Sequence, residues 1–166
     1  MDKIVLITKL SIEDYIKINY HLFYRKLTVK VMTGVGVFML ISLLYAFHSF
    51  NEFPWFQLVF GLFLTIGQPI SVYFSAKKNY KTNARIGERI SYEFDNENVL
   101  VTGESFEAKF SWDKIYSVTE NKDWILIWQN KQVANVVPKR DFKEGELQAL
   151  KNIVSLHSKL IYKLSK

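Results

Sequence analysis

The sequence predicts an α+β membrane protein, in which an antiparallel two-helix transmembrane hairpin is joined to an antiparallel β domain with a C-terminal helix. Two observations predict this fold class. Residues 31–76 contain one formally charged side chain, Glu52, although the 166-residue chain carries 22 basic and 16 acidic residues. After this segment, apolar and polar residues alternate in short runs, as they do along half-buried strands. A soluble domain rarely contains so long an uncharged segment, so residues 31–76 are predicted to lie in a bilayer.

Two stretches of this segment are each long enough to cross a membrane. A hydrocarbon core of about 30 Å requires about 20 helical residues. Residues 31–50 supply the first span and residues 54–76 the second, and the short connection between them predicts a tight antiparallel hairpin. The alternative is a pair of core helices in a soluble bundle. Such helices would need a polar stripe, and neither segment has one.

Basic residues flank the two spans on the side away from the connection. The connection itself contains His48 and Glu52 but no Lys or Arg, so the positive-inside rule predicts that both termini are cytoplasmic. The flanking residues are candidate contacts to the anionic headgroups of the inner leaflet. They are Arg25, Lys26, Lys30, Lys77, Lys78, Lys81 and Arg85.

Polar and small residues within the spans form a candidate intramembrane site. Gly67, Gln68 and Pro69 lie a little inward of the middle of the second span, and Pro69 is predicted to kink that helix. Gln68 falls at about the depth of Gly34 and Gly36, which would allow close backbone approach or accept a hydrogen bond from the amide. The two interpretations are a small polar pocket and a hydrogen bond that holds the hairpin together. Neither span contains a Lys, an Arg or a carboxylate, which argues against a channel or a proton-coupled transporter.

The segment before the first span is predicted to be a strand followed by a helix. Residues 3–10 are a strand candidate, and residues 11–14 resemble a capping box that starts a helix with an apolar and aromatic stripe. A single strand is not stable alone. The simplest solution is that residues 3–10 pair with the C-terminal sheet, although the sequence leaves this pairing open.

The segment after residue 89 is predicted to form a small antiparallel β structure. Turn residues separate its apolar runs at intervals typical of a meander, sandwich or barrel. The predicted strands are residues 90–94, 99–101, 106–110, 115–119, 124–128 and 132–137.

The last segment has apolar residues at helical spacing from Leu147 to Leu164. One interpretation is a helix that packs on the open sheet. The other is an amphipathic helix that lies on the anionic inner leaflet, where its lysines would contribute to binding.

Three motifs of this region resemble the YcxB-like family of small bacterial membrane proteins. Tyr92–Asp95 matches the family's opening strand, Ser111–Ile115 its serine-tryptophan strand start, and Val136–Phe142 its run of an apolar residue, Pro, Lys and Arg before the final helix. The order of elements is similar over nearly the whole chain. The family often has a glycine in the turn after the first strand, where this chain has Asn96 and Asn98; asparagine tolerates a positive φ.

The resemblance implies a bacterial pleckstrin-homology-like (PH-like) fold, in which about six to seven antiparallel strands are closed by a C-terminal helix. It also implies a two-pass protein of the bacterial inner membrane. The predicted divisions are residues 1–30 as an N-terminal strand and helix, 31–76 as the hairpin, 77–89 as a basic juxtamembrane linker and 90–166 as the PH-like domain.

Few residues of the chain are candidates for chemistry. His21, His48 and His157 lie on different segments and do not form a metal site, and no catalytic or phosphate-binding motif is present. We therefore predict no metal, no cofactor and no enzyme activity. Trp112, Lys139 and Arg140 form a candidate ligand or partner surface, in which Lys139 and Arg140 would bind a lipid phosphate. The alternatives are that the tryptophans of the β region are core residues at strand spacing, Trp112 having the best prospect of exposure, and that Lys139 and Arg140 lie in a solvated loop. The net charge of +6 does not predict nucleic-acid binding, because no basic and aromatic stripe accompanies it.

Two functions fit these features. The first is a non-enzymatic protein of the bacterial inner membrane, whose PH-like cytoplasmic domain binds a protein partner or lipid headgroups at the bilayer. The second is an immunity protein that protects the cell against a membrane-active bacteriocin or a secreted toxin. The sequence does not indicate the partner or the oligomeric state.

Overall fold

A computed structural model describes residues 3–46 and 53–164 of the chain, which has an α+β fold and divides into two compact units. Residues 11–84 form the helical unit. Residues 1–10 and 85–166 together form the sheet unit. The sequence predictions that concern His48 and Glu52 fall outside the described residues.

The helical unit begins with α1 (Ile12–Arg25), whose start is the capping box that the sequence predicts. The hydroxyl of Ser11 accepts a hydrogen bond from the N–H of Asp14 at 3.1 Å, and the Asp14 carboxylate accepts one from the N–H of Ser11 at 3.0 Å. Lys26 then adopts an extended backbone and separates α1 from α2 (Leu27–Ala46). The first apolar helix therefore starts four residues before the predicted residue 31 and includes Lys30.

The second apolar helix runs from Trp55 to Thr82 and consists of three segments. They are α3 (Trp55–Leu62), a π-helical turn (Phe63–Gly67) and α4 (Gln68–Thr82). The predicted linker of residues 77–89 therefore begins as the last turns of α4, and a short 3₁₀ turn follows at Ala84–Gly87.

The first sheet of the sheet unit has four antiparallel strands in the order β1-β2-β3-β4. They are β1 (Ile4–Thr8), β2 (Ile90–Phe94), β3 (Asn98–Thr102) and β4 (Glu107–Ser111). Strand β1 pairs with β2, with Leu6 opposite Tyr92. The predicted pairing of residues 3–10 with the C-terminal sheet is confirmed.

The second sheet has the order β7-β6-β5-β8. Its strands are β5 (Ser117–Glu120), β6 (Trp124–Trp128), β7 (Ala134–Pro138) and β8 (Ile161–Lys163). All five residues of β6 are buried, as expected for a central strand whose sequence is apolar throughout.

Two predictions for the C-terminal segment are wrong. Helix α5 (Glu146–Leu156) ends at His157, well before Leu164, and the following residues form β8. Strand β8 pairs with β5 in parallel, so the strands are not all antiparallel. Apolar residues near Leu164 fit either structure by spacing, and the open edge of β5 supplies backbone partners that a longer helix would leave unpaired.

One hydrophobic core joins both sheets and α5. Leu150, Ile153 and Val154 of α5 are buried in this core, so α5 packs on the sheets and does not lie on a lipid surface. The most deeply buried core side chains of the strands are Phe94, Val99, Val101, Val118, Ile127 and Val137.

Candidate functional site

The helical unit presents an apolar surface outward. Two helices, Leu27–Tyr45 and Trp55–Thr82, are long and apolar enough to cross a membrane. Within their most apolar windows 17% and 11% of the residues are buried, whereas a core helix of a soluble protein is mostly buried. Their exposed large side chains include Val31, Phe38, Ile41, Leu44, Tyr45, Trp55, Phe56, Val59, Phe63 and Phe74.

The two apolar helices are antiparallel and pack closely at Gly36 and Gly61. A Cβ atom built on Gly36 would lie 2.7 Å from the Cβ of Leu64, and one built on Gly61 would lie 2.9 Å from Cδ2 of Leu40. A Cβ atom on Gly34 would have no neighbour within 4 Å. The predicted close approach therefore occurs at Gly36 and not at Gly34, because Gly34 lies on the exposed side of α2.

The polar side chain that links the two helices is Gln57 and not Gln68. The amide of Gln57 donates to the carbonyl oxygen of Met39 at 3.0 Å and also to the hydroxyl of Ser42. Among the described residues, no hydrogen bond joins Gln68 to Gly34 or Gly36. The interpretation of a hydrogen bond that holds the helices together is thus supported, but the donor lies in the first turn of the second helix and not at its middle.

Pro69 changes the helix in the turn before it. Proline has no N–H and its ring clashes with the carbonyl four residues earlier, here that of Thr65. The chain adopts a π-helical turn over Phe63–Gly67, in which the N–H of Gln68 donates to the carbonyl of Phe63, five residues back. The hydroxyl of Tyr20 on α1 donates to the Pro69 carbonyl at 2.7 Å. The helix is thus irregular before Pro69, where the sequence predicted a kink: it contains a π-helical turn, and Tyr20 of α1 contacts Pro69.

Six of the seven basic candidates lie at one end of the helical unit. Arg25, Lys26 and Lys30 surround the junction of α1 and α2, and Lys77, Lys78 and Lys81 lie in the last turns of α4. Antiparallel packing brings these two groups to the same end. All are exposed apart from Lys77, which is half-buried with its ammonium 5.5 Å from the ring centre of Tyr73. Arg85 belongs to the sheet unit, where its guanidinium lies 5.8 Å from the ring centre of Phe106.

Of the two interpretations of Trp112, a core residue and a surface contact, the structure confirms the core residue and excludes the surface contact. Its side chain is fully buried, with its rings stacked near Phe94 and His157 at centroid distances of 6.2 and 5.8 Å. Its indole N–H donates to the carbonyl of Asp95 at 2.9 Å. The ring system fills the core, and the one polar atom has a partner, so Trp112 is a core residue and not a ligand contact.

Lys139 is also not available as the phosphate ligand that the sequence suggested. Its ammonium forms an ion pair with Glu120, whose side chain is 3% exposed, and Lys151 approaches the second carboxylate oxygen of Glu120 at 3.0 Å. These three residues connect β5, the 3₁₀ turn after β7 and α5. Arg140 is more exposed, and its Nε lies 3.7 Å from Oδ1 of Asp141. The buried carboxylate holds Lys139 and Lys151 in the fold.

Asp95 organises the turn between β2 and β3. Its Oδ1 accepts hydrogen bonds from the N–H groups of Glu97 and Asn98, at 2.7 and 2.6 Å. Partial desolvation raises the pKa of Asp95, but these hydrogen bonds and the positive charges of Lys109 and Lys3 outweigh it, so the pKa lies below its usual value. His157 contacts the same turn, with Nε2 2.9 Å from the carbonyl oxygen of Asn96.

Sequence reasoning missed Glu88, Glu120 and Gly61. The Glu88 carboxylate accepts hydrogen bonds from the hydroxyl and the N–H of Ser105, at 2.7 and 3.1 Å, and the first of these is the main reason why its pKa is lowered. Glu120 lies at the end of a strand, and a strand pattern alone does not show that a carboxylate there is buried. The role of Gly61 could have been predicted from the sequence, since a glycine within an apolar helix often marks close packing.

The described ranges 3–46 and 53–164 contain no group of three or more His, Asp or Glu side chains that could hold a metal ion.

The fold and its surfaces define a class of protein: an α+β chain with two long, outward-facing apolar helices and two four-stranded sheets. The family model for the YcxB-like protein matches residues 94–154, from the end of β2 into α5. This match, over less than half of the chain, confirms the resemblance that the motifs of this segment show. Comparison with curated proteins gives no match. Comparison with solved structures gives none either.

Proposed function

We propose that this chain is a two-pass protein of the bacterial inner membrane that holds a PH-like binding domain at the cytoplasmic face. The observation that carries the proposal is the outward-facing apolar surface of α2 and of the helix Trp55–Thr82. Phe38 is 71% exposed and Phe56 is 76% exposed. Contiguous apolar surface of this extent is unfavourable in water at about 25 cal/mol per Å², and a bilayer removes that cost.

The pairing of β1 with β2 supports an even number of crossings. Strand β1 precedes both apolar helices and β2 follows them, yet their backbones are hydrogen-bonded side by side. Both ends of the helical unit must therefore lie on the same side of any membrane that the helices cross. The basic residues at that end support the cytoplasmic side, by the positive-inside rule.

We favour a protein as the binding partner of the PH-like domain. Lys139 is engaged by Glu120 and Trp112 is buried, which removes two of the three residues of the candidate ligand surface. By contrast, the short edge strand β8 exposes Ile161 and Tyr162, which are 61% and 44% exposed. An exposed sheet edge with apolar side chains suits the addition of a partner's strand. The immunity function stays a prediction from the sequence.

Two experiments test the proposal. The first fuses a reporter to the C-terminus of the full chain, and measures whether the membrane fraction resists extraction with alkaline carbonate. A cytoplasmic reporter on a carbonate-resistant protein is the expected result. A protein that is monodisperse in buffer without detergent, or a reporter outside the cell, would overturn the membrane assignment.

The second experiment places a photo-crosslinking amino acid at Ile161 in cells, with the exposed Gln148 of α5 as the matched control position. We expect a discrete adduct from Ile161 that is absent from Gln148, and its loss when Tyr162→Asp is added. Equal labelling at both positions would show that β8 has no specific partner.

A further inference from the structure

Thr33 of α2 has a buried hydroxyl oxygen whose hydrogen-bonding capacity the protein does not use. Within the part of the chain that the structure describes, this Oγ1 has no hydrogen-bond partner. The hydroxyl of Thr65, on the second apolar helix, instead donates to the carbonyl of Gly61 at 2.8 Å. A hydroxyl without a partner in apolar surroundings is unfavourable, so we expect the Thr33 hydroxyl to bind a partner from outside the chain.

A backbone carbonyl in the second apolar helix also loses its usual donors. In an α-helix the carbonyl of Leu64 would accept from the N–H of Gln68, but this N–H donates to the carbonyl of Phe63. The next residue along the helix, Pro69, has no N–H to donate. The Leu64 carbonyl therefore lacks both the α-helical and the π-helical donor. Leu64 is only 2% exposed, so bulk water does not replace them.

The Thr33 hydroxyl and the Leu64 carbonyl lie at the same level of the helix pair. A Cβ atom on Gly36 would lie 2.7 Å from the Cβ of Leu64, so Leu64 faces α2 there. Helix carbonyls point toward the C-terminus, which for the second helix of this antiparallel pair is toward the start of α2. Thr33 lies one turn before Gly36 in that direction, on the side of α2 that also carries the buried Val29. Helix α2 contacts the π-helical turn that contains Leu64.

We infer that a water molecule binds between α2 and the π-helical turn, where it accepts a hydrogen bond from the Thr33 hydroxyl and donates one to the Leu64 carbonyl. The amide of Gln68, one turn beyond Leu64, supplies a further polar group. Buried waters typically bind about three such groups that the protein leaves unsatisfied. In apolar surroundings, ordered water and π-helical adjustments together compensate for the N–H that proline lacks. The site lies inside the helical unit, so it goes beyond the proposed function and does not depend on it.

Nuclear Overhauser transfer from water to threonine methyl groups tests for the bound water on the unmodified chain. The full chain would be solubilised in detergent with its threonine methyl groups isotopically labelled. Transfer to the Thr33 methyl should be about twofold or more stronger than transfer to the Thr65 methyl, because Thr65 lies in the same helix pair but has a partner within its own helix. Equal or weaker transfer at Thr33 would overturn the inference.

A carbonyl label tests whether the same water reaches Leu64. The dipeptide Leu-Thr occurs at residues 27–28 and 64–65, so carbon-13 in leucine carbonyls with nitrogen-15 in threonine selects the signals of Leu27 and Leu64. Thr33→Val keeps the shape of the side chain and removes the hydroxyl. It should move the Leu64 signal upfield, because the carbonyl loses a hydrogen bond, and leave the Leu27 signal in place. An unchanged Leu64 signal would show that no water joins the two groups.

The direction of the stability change in Thr33→Val gives a third test. If the hydroxyl binds a water, its loss should raise the equilibrium constant for unfolding about two- to tenfold. If the hydroxyl has no partner, valine replaces an unsatisfied polar group and the constant should fall, which would overturn the inference. Thr28→Val, at an exposed threonine of the same helix, is the matched control and should stay within about twofold of wild type.

Discussion

Phenylalanine and valine are used in opposite ways in the two units of this protein. In the sheet unit Phe94 and Val99 are fully buried, whereas in the helical unit Phe38 is 71% and Val59 63% exposed. The sheet unit folds by removing apolar side chains from water, because its β strands and α5 bury them between one another. The helical unit leaves many of its large apolar side chains uncovered, as expected if the proposed bilayer covers them. The same residue types thus differ in exposure between the two units.

The largest test of this comparison is Trp112→Ala in the core of the sheet unit. The substitution removes a fully buried ring and the hydrogen bond to Asp95, and aromatic truncations of this kind cost about 3–5 kcal/mol. We expect that loss in the free energy of unfolding, measured with denaturant on the detergent-solubilised full chain. Tyr116→Ala, at a side chain 44% exposed, is the control and should cost no more than about 0.5 kcal/mol. Equal effects would mean that Trp112 is not a core residue in solution.

The second test is Phe38→Lys near the middle of α2. On a water-exposed surface this change is nearly neutral, but a lysine at the centre of a membrane helix costs about 2.5–3.5 kcal/mol on insertion scales. We therefore expect a reduced fraction of carbonate-resistant protein in cells. Phe38→Leu keeps the apolar surface and should behave as wild type. Unchanged membrane integration of Phe38→Lys would contradict the assignment of this surface to lipid.

A third test distinguishes the contact side of α2 from its exposed side. Gly36→Leu places side-chain atoms against Leu64, and overpacking of this kind costs about 1–3 kcal/mol. Gly34→Leu meets open space and gains helix propensity, so it should be neutral or stabilising. Thermal unfolding in detergent, followed by circular dichroism, compares the two variants. Similar behaviour would show that the two apolar helices do not meet at Gly36.

The smallest expected effect on stability is that of a substitution at Asp95, in the sheet unit. Its pKa is lowered in the folded state, so its contribution to stability is present above the unfolded pKa of about 3.9 and is lost as the pH falls through the folded value. Asp95→Asn should flatten the decrease in stability below about pH 4. At neutral pH it should cost about 0.5 kcal/mol, as is usual for substitutions outside the core. Denaturant midpoints across pH test this, and a wild-type pH dependence of Asp95→Asn would contradict it.

Periodicity predicted most of the fold because a long uncharged apolar segment and short alternating runs are distinct sequence patterns. The uncharged segment located both apolar helices, and the continuous apolar run at Trp124–Trp128 located a central strand. The capping box at Ser11 could be predicted from the local sequence alone. The pairing of residues 3–10 could be predicted because an apolar strand needs a hydrogen-bonded partner. These features depend on local sequence or on one obligatory contact.

The remaining features depend on which surfaces meet, and spacing does not encode this. Strand spacing left both a core and a surface position open for Trp112, and its packing against Phe94 and His157 decides for the core. The segment near Ile161 has helical spacing, but the free edge of β5 makes it a strand. Lys139 looked like a ligand because its partner, Glu120, is distant in sequence. A single sequence gives no information on these pairs.

The insertion of the helical unit between β1 and β2 has a consequence for synthesis. Strand β1 leaves the ribosome about 80 residues before its neighbour β2, a delay on the order of 10 s at translation rates of 5–20 residues per second. During that interval the segment Ile4–Thr8, with apolar residues on both faces, has none of its native backbone partners. The nascent strand therefore stays unpaired until residues 90–94 have been synthesised. Formation of the first sheet thus has to wait until the whole helical unit has left the ribosome.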